Sequence, residues 1–556
     1  MAQVKTRSNV HRALAVMGAL CRNYVVKVEQ TDAWMVGVEF EMTVKDIPDE
    51  ISLAELIQSC YRVFSIYLRK EDCDTKCSAL RALSGIFVAC PRVLLAMEQS
   101  GSISELMSDT SSPEIQLQAL RSWQEILLAE EHRVVSGEAK AKMEANGKVT
   151  LSKKIQGDQD SDATLVGGIL SQHAQRLFQL TACRNALIRY AALDLLGHLL
   201  RQGLINPMQA VPFLFGLQGD VEAPSIRSFA LDLLTIESEK RPEMIRQRVC
   251  AGIKQAYRFQ RYVYPNREVS AVIQTKQGDK NVIDCIFSAV FKGCIRSSAK
   301  NKSGLFRNLL SLFSGDESTE TMKKGTTTVE KIPLLSFVSQ VLAHLPYITA
   351  DDPLFLVYNV QGMVAVQGQQ LVDKLTIFLQ NQGIPRVTAH DELNTEQDSL
   401  EIAANSTHPS RCPRALAMKS VDFKLDHFVE LCAQASVIVL LLRLKTFLRA
   451  AYNVSEARCL EYSPENKEQK RVKIVASPKI PHVFDSRTQT FFISGPSCKT
   501  SVDSDNLIRQ YAEFRLLMRL EQALDVKKLR PENELELNKR KFNDPMEMHS
   551  QQILRK

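Results

Sequence analysis

Paired cysteines and paired aspartates are the residues whose spacing in this sequence could support chemistry. Cys73 and Cys77 stand one helical turn apart, so a helix would place both thiols on one face, as a metal site requires. No second pair at ligand spacing accompanies them, which favours small buried thiols over a metal centre. Asp351 and Asp352 precede Pro353, a placement more typical of a solvated helix cap than of an acid/base dyad.

Sequence motifs of the common enzyme classes are absent. The chain contains no GxxxxGK[ST], GxGxxG, GxSxG or HExxH pattern. The sequence therefore predicts a protein that is not an enzyme and needs neither a cofactor nor a metal. An enzyme whose site is assembled from residues far apart in sequence stays open as an alternative.

Basic residues are concentrated in one part of the chain. Residues 184–307 contain 19 Lys and Arg against 10 Asp and Glu, whereas all 556 residues carry a net charge of only +7. Tyrosines and a phenylalanine alternate with the cations near 257–264. Such a stripe is typical of a surface that holds DNA phosphates without sequence preference. A solvated helix face with the aromatic rings in the core is the alternative. The predicted DNA contacts are Arg241, Arg246, Arg248, Lys254, Arg258, Arg261, Lys292, Arg296, Lys300, Lys302 and Arg307.

Helices are the elements that must position these residues. The 23 glycines and 20 prolines are few for 556 residues, and both residue types break helix interiors. Thirteen cysteines are too dilute for a disulfide scaffold and favour a reducing compartment. The apolar run 13–20 mimics a signal peptide but continues as an amphipathic helix. The run 431–442 is too short to span a bilayer, so no membrane partner is expected.

An internal repeat organises the helices. Residues 188–196 (IRYAALDLL) and 226–234 (IRSFALDLL) agree at seven of nine positions. Fainter copies of the same pattern occur earlier in the chain. When the polar stretch near 133–162 is counted as an insertion, the equivalent alanines of the copies recur with a period near 40. These alanines are Ala79, Ala119, Ala192 and Ala230. A two-helix repeat of that length is typical of HEAT and armadillo arrays. The sequence thus predicts an all-α HEAT-repeat α-solenoid.

The predicted segments follow from polarity and periodicity. They are HEAT repeats at 1–132, a polar insertion at 133–162, HEAT repeats with the basic stripe at 163–380, a polar linker at 381–419, a C-terminal helical portion at 420–525 and a charged tail at 526–556.

Six stretches carry a resemblance to a known family. In the same order, residues 11–22, 189–220, 306–313, 344–360, 440–464 and 511–518 resemble the C-terminal HEAT region of sister chromatid cohesion protein 2, the Nipped-B family of cohesin loaders. The resemblance implies a hook-shaped solenoid in the nucleus, on chromatin. It also implies binding to double-stranded DNA, to the cohesin head ATPase subunits and to the kleisin, and stimulation of the cohesin ATPase.

Part of the family pattern has no counterpart in this sequence. The long N-terminal region, which binds the loader's smaller adaptor subunit, is missing, so we expect an incomplete array and leave adaptor binding open. A HEAT-type adaptor or transport scaffold that binds only proteins is the second function the sequence allows. DNA binding that falls steeply with salt would separate the two.

Overall fold

The structure is a computed structural model. It describes residues 2–30, 53–108, 111–135, 162–277, 280–295, 299–314, 328–381, 425–464, 483–484, 511 and 514–522. Two compact units account for the contacts within the chain. Unit 1 comprises residues 1–269 with 293–295, and unit 2 comprises residues 270–292 with 296–556.

Unit 1 is built from helices. Its helices are α1 (Ala2–Gln30), α2 (Leu53–Leu68), α3 (Cys73–Ala89), α4 (Leu94–Gln99), α5 (Ser102–Leu106), α6 (Pro113–Val135), α7 (Asp162–Gln172), α8 (Ala174–Leu180), α9 (Ala186–Arg201), α10 (Pro207–Leu217), α11 (Pro224–Lys240) and α12 (Pro242–Val263). A short 3₁₀ turn, Pro91–Val93, precedes α4.

The repeated alanines mark equivalent helices in successive repeats. They lie in α3, α6, α9 and α11, and each of these helices packs on the next in that order. All four alanine side chains are buried, with at most 3% of any one exposed. A methyl group at these positions lets neighbouring helices approach closely. In the second layer, α10 packs extensively on α12. The helical-repeat fold predicted from the sequence is confirmed.

Local capping explains where the repeat helices begin. Asn185 Oδ1 accepts a hydrogen bond from the Leu187 amide at 2.9 Å, and Asn206 does the same for Met208 at 2.9 Å. Each bond satisfies one amide that has no partner inside its own helix. Pro207 supplies the first residue of α10, where its missing N–H costs nothing. In the sequence, Asn206 followed by Pro207 predicts a cap and a proline at the first helical position, and both are present.

Unit 2 surrounds one long apolar helix. Its helices are α13 (Ala299–Leu310), α14 (Thr328–His344), α15 (Asp351–Met363), α16 (Gln369–Asn381), α17 (Leu425–Ala451) and α18 (Glu456–Glu461). Helix α17 packs against α14, α15 and α16. The stretch His427–Ala451 is long and apolar enough to cross a membrane, but 83% of its apolar window is buried inside the protein. In the sequence, the apolar stretch 420–452 predicts a long helix that is buried on most sides, and α17 is such a helix within that stretch.

A β-hairpin is the exception to the helical expectation. Strands β1 (Val272–Gln277) and β2 (Lys280–Cys285) pair antiparallel, with Val272 opposite Cys285. In the sequence, helical periodicity over 282–296 predicts a helix there, and the structure shows that this prediction is wrong for residues 282–285, which belong to β2. The β-branched residues of both segments, separated by Gly278 and Asp279, are the hairpin signal that the helical pattern obscured.

The predicted segment boundaries stay predictions. The division between the units at Val269 and Ser270 falls inside the segment predicted as one at 163–380. Nearly all of the polar insertion, the linker and the charged tail lie outside the described residues.

Candidate nucleic-acid interface

The C-terminal half of α12 presents cations to solvent. Arg258 and Arg261 are exposed, and they stand three residues apart, which makes them neighbours on the helix surface. Tyr262 is 57% exposed on the same side. At the other end of the helix, Arg241 is exposed at the junction with α11.

A fourth residue joins this group from a distant part of the sequence. The Arg184 guanidinium carbon lies 5.4 Å from the centre of the Tyr262 ring, and Arg184 Nε donates to the Tyr262 carbonyl at 3.3 Å. We call Arg184, Arg258, Arg261 and Tyr262 the α12 terminal patch. Arg184 opens the basic segment, but nothing in the sequence pairs it with Tyr262, which lies 78 residues away. The patch offers three guanidiniums beside an exposed aromatic ring.

A buried ion pair anchors the end of α12. Arg189 and Asp220 have 3% and 0% of their side chains exposed. Arg189 Nε and Nη2 donate to one Asp220 oxygen at 2.9 and 2.8 Å. The Tyr264 hydroxyl, just beyond α12, donates to the other oxygen at 2.5 Å. Burial, together with this hydrogen bond to a carboxylate, raises the pKa of Tyr264 well above its ordinary value. The network joins α9, the turn after α10 and the end of α12.

The aromatic residues of the stripe divide between core and surface. Tyr257 and Phe259 are buried with 9% and 2% exposed, and Phe259 also packs against the Arg189 guanidinium. Tyr264 belongs to the buried network. Among these four residues, Tyr262 is the only exposed one, whereas Tyr264 is half-buried.

Three other predicted contacts of unit 1 face the protein more than the solvent. Arg246 forms an ion pair with Glu243 on the same helix. Arg248 is half-buried, and its Nε is buried without a hydrogen-bond partner among the described residues. Lys254 is buried with 7% exposed. These side chains have less of their charge available to an external phosphate than Arg258 has.

In unit 2, two predicted contacts reach the surface. Lys292 is exposed, and Arg307 is exposed while its guanidinium lies 5.4 Å from the centre of the Phe355 ring. Arg296 lies outside the described residues, and of Lys300 only the backbone of α13 is described.

The remaining predicted contact, Lys302, lies in the interior of unit 2. Its Nζ donates to both carboxylate oxygens of Asp352, at 3.0 and 3.2 Å, and the two residues are 9% and 5% exposed. The expectation of a solvated cap is therefore wrong for Asp352, whose charge needs a partner because it is buried. Asp351 instead accepts a hydrogen bond from the Tyr462 hydroxyl at 2.7 Å. Burial raises the pKa of the Asp352 carboxyl, and Lys302 offsets part of that rise.

The cysteine pair has ordinary surroundings. Cys73 Sγ lies 2.9 Å from the Ser112 hydroxyl. Burial, followed by the neighbouring Cys73, raises the pKa of Cys77 to about 11. Within the described ranges, no group of three or more His, Cys, Asp or Glu side chains could hold a metal ion.

Comparison with known proteins shows which sequences this chain is similar to. Residues 166–363 match the Nipped-B C-terminal family, described as "Sister chromatid cohesion C-terminus". Nipped-B-like protein A of Danio rerio is 24% identical over 373 residues, which cover 67% of this chain and 14% of that protein. Nipped-B-like protein of Mus musculus is 22% identical over 522 residues, covering 91% of this chain and 17% of its own length. The chain therefore spans less than a fifth of the length of these relatives.

A solved structure supports the fold. The C-terminal fragment of the cohesin loader SCC2 of Chaetomium thermophilum superposes with a TM-score of 0.50 at 15% identity, over 72% of this chain and 24% of that fragment. The match at 166–363 includes α12 and its terminal patch. The family match and the relatives show that this chain is similar in sequence to the C-terminal part of the Nipped-B sister chromatid cohesion proteins, and the solved structure shows a similar helical fold.

Proposed function

We propose that this chain is a cohesin-loading scaffold that binds DNA phosphates through the α12 terminal patch. The proposal rests on the relationship to the Nipped-B proteins and on the exposure of three guanidiniums at the end of α12. As a scaffold in the nucleus, it would bind the cohesin heads and kleisin, promote the loading of cohesin onto chromatin and stimulate the cohesin ATPase, with no catalysis of its own.

The observation that carries the DNA-binding part is the placement of Arg258 and Arg261. Both guanidiniums are exposed, and no ion pair within the described part of the chain engages them. A guanidinium presents several N–H donors in a plane that matches two phosphate oxygens. Arg184 adds a third such group, held in place by the Tyr262 ring and carbonyl. Contacts to phosphates alone carry no sequence information, so binding is expected to be nonspecific.

Salt dependence gives the sharpest test of the patch. Each phosphate contact contributes about 0.9 to the slope of log affinity against log salt. Replacing Arg184, Arg258 and Arg261 with glutamine removes up to three contacts, so the slope should fall by up to about 2.7. Fluorescence anisotropy with a labelled duplex of random sequence, measured between 50 and 200 mM salt, gives both slopes. In that range, three contacts account for about a 40-fold change in affinity.

A matched control uses Arg62, Arg121 and Arg201, three arginines that are also exposed on unit 1 but lie outside the patch and outside the predicted DNA contacts. Their replacement by glutamine should change the slope less than the patch variant does. An unchanged slope in the patch variant would exclude the α12 terminal patch as a DNA contact. Wild-type protein without any salt-dependent duplex binding would favour the scaffold that binds only proteins.

The cohesin partner needs a separate measurement. A pull-down of the full chain with purified cohesin head and kleisin fragments tests that association directly. Retention of either fragment at 150 mM salt would support the loader assignment, and retention of neither would contradict it. The patch variant serves as the control, since a protein contact elsewhere on the chain should survive the loss of DNA binding.

A further inference from the structure

An open cavity between α1 and α3 is lined by cations, far from the α12 terminal patch in sequence. Its volume is about 490 Å³, within the usual range for small-ligand sites. Helix α1 contributes Arg7, Ser8, His11 and Arg12, and helix α3 contributes Ser78 and Arg81. No acidic side chain lines the cavity within the described residues. The site therefore offers guanidinium, imidazole and hydroxyl groups to a ligand.

The packing of the two helices explains why the cavity opens there. Gly18 on α1 allows a close approach, because a Cβ at this position would lie 2.6 Å from the Ala82 Cα. On α3, Gly85 has the same effect, because a Cβ at this position would collide with the Gly18 carbonyl oxygen. One to two turns back along each helix, Arg12 and Arg81 stand at the cavity instead. The two helices are thus in close contact at the glycines. Nearer their N-termini, long cationic side chains line the cavity between them.

Several of the lining side chains are held in position by the protein. Arg7 forms an ion pair with Asp72, with its Nε donating at 3.0 Å. His11 Nε2 lies 3.1 Å from the Thr75 hydroxyl. Arg81 Nη2 donates to Gln118 at 3.1 Å. Because these groups are already oriented, binding a ligand would cost little side-chain entropy.

Arg12 differs from its neighbours. Its side chain is exposed at the cavity, and it makes no hydrogen bond or ion pair within the part of the chain that the structure describes. Its five N–H donors are therefore available to an incoming acceptor. Arg81 also keeps donors beyond the one that Gln118 accepts. The guanidiniums of Arg12 and Arg81, on facing helices, can donate hydrogen bonds to a single oxyanion or to two adjacent ones.

We propose that this cavity binds a short acidic segment of a partner protein, through carboxylate or phosphate groups of that segment. Arg7 and Arg12 are five positions apart, which corresponds to a rise of about 7.5 Å along α1 and matches two to three residues of extended chain. A concave cavity of this size admits a peptide side chain between the helices. Duplex DNA presents its phosphates on a convex surface, which suits the exposed α12 terminal patch better. Planar guanidiniums recognise carboxylate and phosphate alike, so either anion meets the same donors.

Fluorescence anisotropy with the full chain tests the proposal. The probes are three labelled heptapeptides in which glycine alternates with phosphoserine, with glutamate or with glutamine. We expect the two anionic peptides to bind and the glutamine peptide to bind at least tenfold more weakly. Arg12→Glu should weaken the anionic peptides at least tenfold, because it reverses the charge of the donor that faces the cavity. Binding of only one anionic peptide would identify which anion the site takes.

Controls separate the cavity from general attraction and from misfolding. Arg201→Glu makes the same charge change on α9, outside the cavity lining, and should leave peptide affinity within twofold of wild type. Arg81→Gln removes a positive charge without introducing a negative one and should weaken binding less than Arg12→Glu. Equal loss in Arg12→Glu and Arg201→Glu would overturn the proposal. So would an Arg12→Glu variant that loses duplex DNA affinity but keeps its peptide affinity, since the cavity would then be part of a nucleic-acid surface.

Discussion

Replacing Asp220 with asparagine changes the interior of unit 1 without changing the shape of the side chain. The carboxylate accepts from Arg189 twice, at 2.8 and 2.9 Å, from the Tyr264 hydroxyl at 2.5 Å and from the Ala223 amide at 3.2 Å. All of these partners are donors. An asparagine amide would present an NH₂ group where an acceptor is needed, whichever way it turns. The change would also leave the Arg189 charge without its counterion.

The expected cost is large because both charges are buried. Arg189 retains 3% of its side-chain exposure and Asp220 none, so water cannot replace the lost partner. Breaking such a buried pair costs about 3–5 kcal/mol. Two lost charge-assisted hydrogen bonds, at about 1.5–3 kcal/mol each, give a similar sum of about 3–6 kcal/mol. We therefore expect the free energy of opening of the α9–α12 region to fall by about 3–5 kcal/mol.

Native-state hydrogen exchange measures this quantity locally. Peptides from 186–201 and 242–263 should lose protection in Asp220→Asn, while peptides from α17 report on unit 2 as an internal reference. The control is Glu222→Gln. Its partner Arg267 lies 4.0 Å away, and both side chains are more than half exposed. The free energy of opening should therefore fall by less than about 1 kcal/mol. Equal effects of the two substitutions would refute the reasoning. An Arg189→Met, Asp220→Leu double variant should be more stable than Asp220→Asn, because it leaves no buried charge unpaired.

Three further predictions concern buried groups and helix contacts. Lys302→Met removes the cation that offsets the raised pKa of Asp352, so urea unfolding should show a stability loss of about 3–5 kcal/mol near pH 7 and a smaller loss at pH 5, where the carboxyl can protonate. Burial raises the pKa of Cys285 to about 12, so Ellman's reagent at pH 8 should modify this thiol only after unfolding; modification at the rate of a free thiol would contradict its burial. Gly85→Ala places a Cβ against the backbone of α1 and should lower the melting temperature, whereas Gly168→Ala, with open space around it, should leave it unchanged or raise it.

The sign of the Lys302 prediction follows from proton linkage. A carboxyl whose pKa is higher in the folded state than in the unfolded state favours folding at low pH, and that contribution is lost as pH rises through the two pKa values. Burial raises the pKa of Asp352, and the ammonium group of Lys302 opposes that rise. Removing the ammonium group should therefore raise the pKa further and steepen the decline of stability between pH 5 and pH 7. Equal losses at both pH values would show that Asp352 keeps its charge without Lys302.

Local sequence determined the repeat and the ends of its helices. The alanines near a period of 40 lie on equivalent helices because helical periodicity and repeat length are both properties of the chain itself. Asn206 with Pro207 marked the start of α10 for the same reason, since a cap involves only residues two or three positions apart. The hairpin at 272–285 carried a local signal too, which the surrounding helical pattern concealed.

Tertiary structure decided which charges face solvent. Arg258, Arg189 and Lys302 all lie in one basic segment, yet Arg258 is exposed, Arg189 is paired with Asp220, and Lys302 is paired with Asp352. Charge density along a sequence cannot separate these cases, because the carboxylates that pair with Arg189 and Lys302 lie 31 and 50 residues away from them. The same holds for the α1–α3 cavity, since Arg12 and Arg81 come together only when the helices pack. The sequence alone determined a helical array with an excess of cations, and packing decided which of those cations are exposed to solvent and which are paired inside the protein.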